Sequence, residues 1–472
     1  MMKKIKFINR ERELSFLEDQ FQRPGHSLIV IYGRRRVGKT ELLTRFQRDQ
    51  PHIYYLCDAR GTVMNAAALA KLAAEHFDDL VPRVEHFDDV FRYIVKRRKG
   101  GRKLVIVLDE FPYLVERDNA VLSVFQKIVD EVIADEDIML VLCGSSMAMM
   151  YESSLSARSP LYGRTTGSWD VRPLTFLDAL RFFPDVSLER AVEFHALFGG
   201  MPAFLSRVDP AADIRENITD VIMTKGSTLY RAPELLLRQE TRAADVYRSI
   251  LEAMATTTKL SEIASKSGLR ANDMPKYLRV LTDLNLVRRE TPVTEQRSRR
   301  TRYLIDDNLY RFWYTCCSPN QSYLEDGRVE HVYRTYIEKE LPRIVSDCWE
   351  VVAREIVPPA LPFTPQRTGS WWGHVRDRKG VRVTTDIDVV SLDERSGSIG
   401  FLEVKWSDMD ARSCGRVLGA LREKATSVEW QRGRRKEVYG LVVRRVDEHV
   451  KQEFRDEGYV VLDLADVARL LA

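Results

Sequence analysis

Long apolar runs are missing from this chain of 472 residues. The longest are Leu28-Ile29-Val30-Ile31, Leu104 to Leu108 and Ile138 to Cys143. All fall far short of the ~20 residues a helix needs to span a bilayer, so no membrane-crossing segment is expected. No apolar stretch separates Met1-Met2-Lys3-Lys4 from the charged Asn9-Arg10-Glu11-Arg12-Glu13, which argues against a secretory leader. Cysteine is scarce. Cys57, Cys143, Cys316, Cys317, Cys348 and Cys414 lack the spacing of a metal site or a disulfide framework, and they read as reduced thiols in a cytoplasmic protein. Neither sign of charge prevails: 73 Lys and Arg face 69 Asp and Glu, a net charge of +4. That balance excludes wholesale polyanion binding and leaves room for local basic surfaces. Internal repeats and long low-complexity tracts are absent from the sequence as well.

What remains is the composition of a folded protein, 44% hydrophobic and 30% charged, with material for several cores. The length predicts about three domains. From residue 28 to 146, β-type apolar runs alternate with helical stretches, which predicts a parallel sheet covered by helices. Residues 171–240 read as helical. Residues 242–306 read as helix, helix, turn, helix and two short strands, and 307–345 as an aromatic helical stretch. A last unit follows, with a helix and strands near 383–390, 399–406 and 438–443.

Gly33-Arg34-Arg35-Arg36-Val37-Gly38-Lys39-Thr40 matches G-x-x-x-x-G-K-[ST] between an apolar strand and a helix that opens at Glu41. Its glycines let backbone N–H groups face a phosphate at the positive end of a helix. Lys39 is expected on the β and γ phosphates and Thr40 on magnesium. The strand Leu104–Leu108 ends in Asp109, a second magnesium ligand, and Glu110, which would orient the attacking water. The strand Ile138 to Cys143 ends in Gly144-Ser145-Ser146. There Ser145 either contacts the γ phosphate or the water, or belongs to ordinary turn chemistry.

These stretches, with Phe7 to Leu14, Ser159-Pro160-Leu161-Tyr162-Gly163-Arg164, Gly199-Gly200-Met201-Pro202 and Tyr303 to Tyr314, resemble the archaeal-type ATPases. These are signal-transducing P-loop ATPases related to AAA+ proteins. The resemblance implies that Asn9 and Arg10 lie against the adenine, Arg164 acts as an arginine sensor or finger, and Pro202 approaches the nucleotide from a helical lid. ATP and Mg2+ are the implied cofactors.

Leu260 to Leu269 reads as a helix and a glycine turn, followed by a helix carrying Met274, Tyr277, Leu278, Leu281 and Leu284. This spacing builds a helix-turn-helix with Thr291–Thr301 as a wing. Lys266, Arg270, Lys276 and Arg279, with Arg297, Arg299 and Arg300 in the wing, are placed to meet DNA phosphates. The alternative is that the wing packs on the lid or on a protein partner.

Thr384 to Val390 and Gly400 to Trp406 read as neighbouring strands. Residues two apart share a face, so Asp386 with Asp388, and Glu403 with Lys405, project to one side while Ile387, Leu402 and Val404 pack on the other. Two carboxylates can bind Mg2+ or Mn2+, and a lysine can orient water or stabilise developing charge. Upstream, Glu350 offers a further acid. The pattern resembles the restriction-endonuclease-like PD-(D/E)xK nucleases, although Ile387 stands where the name has proline. Carried over, Asp388, Glu403 and Lys405 are the catalytic set, with Asp388 and Glu403 on the metal and Glu350 as the helix acid. An inactive nuclease fold that only binds nucleic acid, or an edge hairpin with solvated charges, stays open. The stretch Arg412, Arg416, Arg422, Lys424, Arg432, Arg434, Arg435 and Lys436 could track a phosphate backbone or form a solvated face.

The expected organisation is α/β: a P-loop ATPase core over 1–170, a helical lid over 171–241 and a winged helix over 242–306. An aromatic helical connector over 307–346 leads to a restriction-endonuclease-like domain over 347–472. The expected function is an ATP-binding, ATP-hydrolysing switch coupled to DNA binding or metal-dependent DNA cleavage. The alternative is a signalling or chaperone-like ATPase that binds a protein partner or its own copies through an inactive C-terminal domain.

Overall fold

Three strands of continuous apolar sequence, β1 (Ser27–Tyr32), β3 (Leu104–Asp109) and β4 (Ile138–Gly144), form the centre of the first sheet. They are buried on both faces, which is why they read as unbroken hydrophobic runs. The computed structural model describes residues 7–98, 100–241, 243–296, 298, 300–376 and 382–471. These divide into two compact units. One comprises Met1–Pro173 with Met201–Ala203 and Asp283–Asn285; the other comprises Leu174–Gly200, Phe204–Thr282 and Leu286–Ala472. Among the described residues no helix is long and apolar enough to cross a membrane.

In the first unit β2 (His52–Leu56) and β5 (Gly167–Asp170) edge the sheet, giving the order β2-β3-β4-β1-β5. Every pairing is parallel. Helices Thr62–His76 and Phe87–Arg97 bury Leu69, Ala73, Phe87 and Phe91 against Leu28, Val30, Ile106 and Leu140. Helix Lys39–Gln47 follows β1 directly and contacts β3. The parallel order brings the C-terminal ends of β1, β3 and β4 side by side, and the candidate nucleotide residues stand there.

The second unit carries the helical segment expected from residue 171. Helices Ala244–Met254, Leu260–Lys266 and Met274–Asp283 then precede an antiparallel hairpin of β6 (Val287–Glu290) and β7 (Arg302–Ile305). Helix Leu341–Ile356 runs through positions 346 and 347, so the expected boundary there falls inside one continuous helix. Its buried Ile344, Val345, Cys348, Trp349, Val352 and Ile356 form one apolar stripe and hold it together.

A second five-stranded sheet has the order β12-β11-β10-β9-β8. Its strands are β8 (Arg367–Arg376), β9 (Arg382–Asp393), β10 (Ser398–Met409), β11 (Lys436–Val446) and β12 (Val460–Leu462). The first three form an antiparallel meander. The last two pair in parallel after the crossover helices Ala411–Ala425 and Glu448–Asp456.

Opposite the step from Gly369 to Trp371, strand β9 carries an extra residue between Ile387 and Val390. This bulge breaks the alternation. Ile387 therefore shares a core cluster with Val390, Phe401 and Leu418, and does not join Leu402 and Val404 as the two-residue period required.

Candidate nucleotide and metal sites

The loop that leaves β1 is built on positive backbone angles. Gly33 has φ 152°, and a Cβ there would stand 2.3 Å from the carbonyl oxygen of Val171. Gly38, with φ 100°, turns the chain into helix Lys39–Gln47. Only glycine meets both demands without strain. Lys39 is buried, and its Nζ donates to the carbonyls of Gly33 (2.8 Å) and Arg34 (3.0 Å). These acceptors are neutral main-chain oxygens, so the cation fits an incoming phosphate.

Thr40 Oγ1 donates to Asp109 Oδ2 at 2.8 Å, so the two expected magnesium ligands are in contact. Asp109 Oδ1 accepts the Glu110 N–H at 2.9 Å. Tyr54, which the sequence reading missed, donates its hydroxyl to the same Asp109 Oδ2 at 2.7 Å. Burial, followed by the Asp109 charge, raises its phenol pKa. Glu110 adopts φ 53°, a strained angle for a residue with a side chain. Ser145, at the end of β4, donates its hydroxyl to Glu110 Oε2 at 2.9 Å. The expectation for Ser145 thus resolves into a direct contact with Glu110.

Arg10 is buried and donates to the Val37 carbonyl at 3.0 Å and to Glu13 at 2.8 Å, tying the N-terminal segment to the phosphate loop. Asn9 precedes it, also at positive φ. Arg34 is buried in the loop, Arg35 reaches the Tyr113 hydroxyl at 3.4 Å, and Arg36 takes φ 69° beside the buried Val37. Arg164 is held in a two-pronged pair with Asp130 (both 2.7 Å) and donates to the Pro160 carbonyl. Its guanidinium is thus engaged by Asp130. Pro202 starts the short helix Pro202–Leu205.

The second site lies where β9 and β10 part. Their ladder ends at the pair Leu402 and Val389, which leaves the Val404 N–H without a strand partner. Asp388 Oδ2 accepts it at 2.8 Å. Lys405 Nζ joins the two carboxylates, 3.3 Å from Asp388 Oδ2 and 2.9 Å from Glu403 Oε2. A second lysine, Lys424 of helix Ala411–Ala425, reaches Glu403 Oε1 at 2.7 Å. The sequence leaves it in a basic stretch that either tracks a phosphate backbone or forms a solvated face.

Burial, together with the Asp388 charge, raises the Glu403 carboxyl pKa. The same two causes lift Glu350 to about 8. Burial opposes charge on Lys405, but Asp388 and Glu403 outweigh it and raise the ammonium. Glu350 and Asp388 line the same cavity. Among the described residues no three His, Cys, Asp or Glu side chains are grouped to hold a metal ion, so the carboxylates in reach of Lys405 are two.

Some members of the basic stretches are engaged within the chain, while Lys266, Lys276, Arg279 and Arg432 are exposed. Arg435 donates to the carbonyls of Ala425, Val428 and Trp430 and pairs with Glu437. Arg422 lies over the rings of Tyr439 and Tyr459, each at 5.2 Å. Arg300 of the expected wing donates to the Trp372 carbonyl at 2.7 Å, and Val293 N–H bonds Ser370 O at 3.0 Å. The loop of the hairpin thus packs on β8 of the C-terminal sheet, a contact that is neither the expected DNA face nor the lid. Arg297 and Arg299 lie outside the described residues. Arg270, Arg412, Arg416, Arg434 and Lys436 remain exposed.

A family model described as an ATPase domain predominantly from Archaea matches residues 7–208. A protein of Methanocaldococcus jannaschii, itself uncharacterized, is 31% identical over 431 residues, covering 89% of this chain and 92% of the relative. The chain belongs to the archaeal-type ATPase family. It binds ATP, and the sheet, loop and acids above are the ATPase part of it. An uncharacterized ATP-binding protein of the same organism is 50% identical over 46 residues, 10% of this chain and 78% of its own length. Two further models, both of unknown function, match 189–308 and 313–417, the latter described for archaeal and bacterial proteins.

Among solved structures the chain is similar to the Walker-type ATPase of Pyrococcus abyssi, with 20% identity and TM-score 0.47. That match covers 66% of this chain and 97% of that one. It is also similar to Cdc6p from Pyrobaculum aerophilum, with 15% identity and TM-score 0.37, covering 69% and 96%.

Proposed function

We propose that this ATPase is a cytoplasmic switch in which nucleotide bound to the first unit governs DNA binding or metal-dependent DNA cleavage by the second. In the first unit the N–H groups from Gly33 to Thr40 and the Lys39 ammonium hold the β and γ phosphates. Asn9 and Arg10 border the adenine, and Pro202 closes on the nucleotide from the lid. Thr40 and Asp109 hold Mg2+, which supplies charge neutralisation on the phosphates. Glu110 orients the attacking water, and Ser145 fixes its carboxylate. Arg164 serves as an arginine sensor or finger once released from Asp130.

In the second unit Asp388 and Glu403 hold Mg2+ or Mn2+, which would supply Lewis-acid chemistry at a phosphodiester. Lys405 orients water or balances the developing charge, and Glu350 adds a proton-holding acid. One observation carries this reading. Lys405 Nζ lies within 3.3 Å of Asp388 and 2.9 Å of Glu403 at the opening between two strands. The strand and helix order of β8 to β11 supports a restriction-endonuclease-like fold, and the three helices with the β6–β7 hairpin support a winged helix.

The test incubates the purified chain with plasmid, linear and single-stranded DNA, with Mg2+ or Mn2+, with and without ATP, beside Glu403→Ala. Cleavage or binding that Glu403→Ala removes is expected. A chain inert toward DNA in every condition would overturn the proposal.

A second reading is favoured by one feature: both carboxylates already have lysine partners, and the hairpin is docked on β8. It is a signalling or chaperone-like ATPase whose C-terminal domain binds a protein partner or a second copy. Metal dependence confined to ATP hydrolysis would favour it.

A further inference from the structure

A cavity of about 550 Å³ lies in the second unit between the β6–β7 hairpin, helix Leu341–Ile356 and strand β9. Asp386, Asp388, Glu350 and Arg302 are among its lining residues. Of its remaining cations, Arg311 donates to the Asn308 amide oxygen at 3.0 Å and four are in ion pairs. Arg288 and Arg354 share Glu290 at 2.8 and 2.7 Å, Lys259 meets Glu262 at 2.9 Å, and Arg343 meets Asp347 at 3.5 Å. Arg302 differs from those four. Among the described residues its guanidinium has no carboxylate within ion-pair distance, and it lies over the Trp372 ring at 4.3 Å. Trp372 stands opposite Asp386 in the β8–β9 ladder, so the guanidinium is held near that carboxylate.

Guanidinium cannot shed its proton at any physiological pH. Burial penalises this half-buried cation more than the charges of Asp386 and Glu290 offset, so an arriving anion is favoured. Phosphate suits the planar fork, and the exposed face of an arginine stacked on tryptophan also accepts a nucleobase. Taken as a cube, the cavity is about 8 Å across, which admits one nucleotide. A duplex, whose major groove alone is ~12 Å wide, cannot enter.

We propose that this cavity takes a nucleotide of a single-stranded DNA end, with its phosphate on Arg302 and the next phosphodiester toward Asp388 and Glu403. The orientation of the strand rests on the cleavage reading above; the binding site does not.

The test uses the full chain in EDTA and measures fluorescence anisotropy of a labelled single-stranded dodecamer and of its blunt duplex. Arg302→Gln is expected to weaken single-strand binding by about tenfold. It should also lower the slope of log affinity against log salt by about 0.7, one phosphate contact. Arg302→Lys should restore the salt slope but only part of the affinity, because it keeps the charge and loses the fork and stacking face. Lys71→Gln, in the first unit, should change nothing. Unchanged ATP binding and melting temperature confirm that the variants fold.

No single-strand binding by the wild type at low salt, an unchanged slope in Arg302→Gln, or equal losses on duplex and single strand would each overturn the proposal. Cleavage in Mn2+ separates it from the earlier reading. Arg302-dependent binding without any cleavage sinks the nuclease and keeps the cavity. Cleavage lost in Asp388→Asn but unchanged on single-stranded ends in Arg302→Gln keeps the nuclease and sinks the cavity.

Discussion

Glu403→Gln separates a metal site from an ion-pair knot. Glu403 is 5% exposed in its side chain and accepts from Lys405 at 2.9 Å and Lys424 at 2.7 Å. Removing one partner of a fully buried pair costs ~3–5 kcal/mol, because the charge left behind has no compensation. Here the lysines are 41% and 29% exposed and can turn to water. Glutamine also lifts the burial penalty that already raises the Glu403 pKa. The expected loss is therefore only about 1–2 kcal/mol.

The metal effect is larger. A divalent ion at a hundred times its dissociation constant stabilises the folded chain by ~2.7 kcal/mol. Denaturant melts of the full chain, without nucleotide and in an Asp109→Asn background, isolate this from the ATP site. Trp349 and Trp406, 5.3 Å apart beside β10, give the fluorescence signal. Mn2+ should shift the midpoint upward when Glu403 is present and leave Glu403→Gln unmoved. An equal shift in both would refute the metal assignment, whatever the cost of the substitution.

Three further outcomes are expected. Lys39→Ala should weaken ATP binding by about 3 kcal/mol, roughly a hundredfold, measured by titration calorimetry, since the loop's cation is gone while its N–H groups remain. Glu110→Gln should lower ATP turnover by about a hundredfold or more with ATP affinity kept, and wild-type turnover would exclude Glu110 from orienting the water. His195 is buried, and its pKa is pushed down to about 4, first by burial and then by the Arg311 charge. The unfolded chain therefore takes up the proton first: the stabilisation is complete above about pH 6.5 and is lost as pH falls toward 4, by about 3 kcal/mol. His195→Phe should flatten that part of the denaturation profile, and an unchanged profile would exclude His195 as its source.

How much was legible in the sequence follows from how each feature is encoded. β1, β3 and β4 are buried on both faces, so composition alone marks them. The Gly33–Thr40 loop is legible because its geometry restricts the residue types allowed. β8, with the sequence Arg-Thr-Gly-Ser-Trp-Trp-Gly-His-Val-Arg, is a polar, glycine-containing edge strand and went unread. The three-residue β12 is too short to show a period. The bulge in β9 was invisible for another reason: an inserted residue is defined only against its partner strand.

The same distinction explains which site residues were missed. Glu403 and Lys405 are two apart on one strand, and the strand period alone places them together. Lys424 meets Glu403 across 21 residues, Tyr54 meets Asp109 across 55, and Arg302 reaches Trp372 from another hairpin. Each joins its site through packing between elements, which periodicity does not specify. Yet these additions decide the charge of the sites. Asp388 and Glu403 against Lys405 and Lys424 sum to zero in the metal-free chain. A divalent cation on the carboxylates would leave both ammonium groups without partners, and a phosphodiester is the ligand that could restore balance. Metal and nucleic acid would then bind with mutual reinforcement, since each supplies the charge that the other's arrival leaves unmatched.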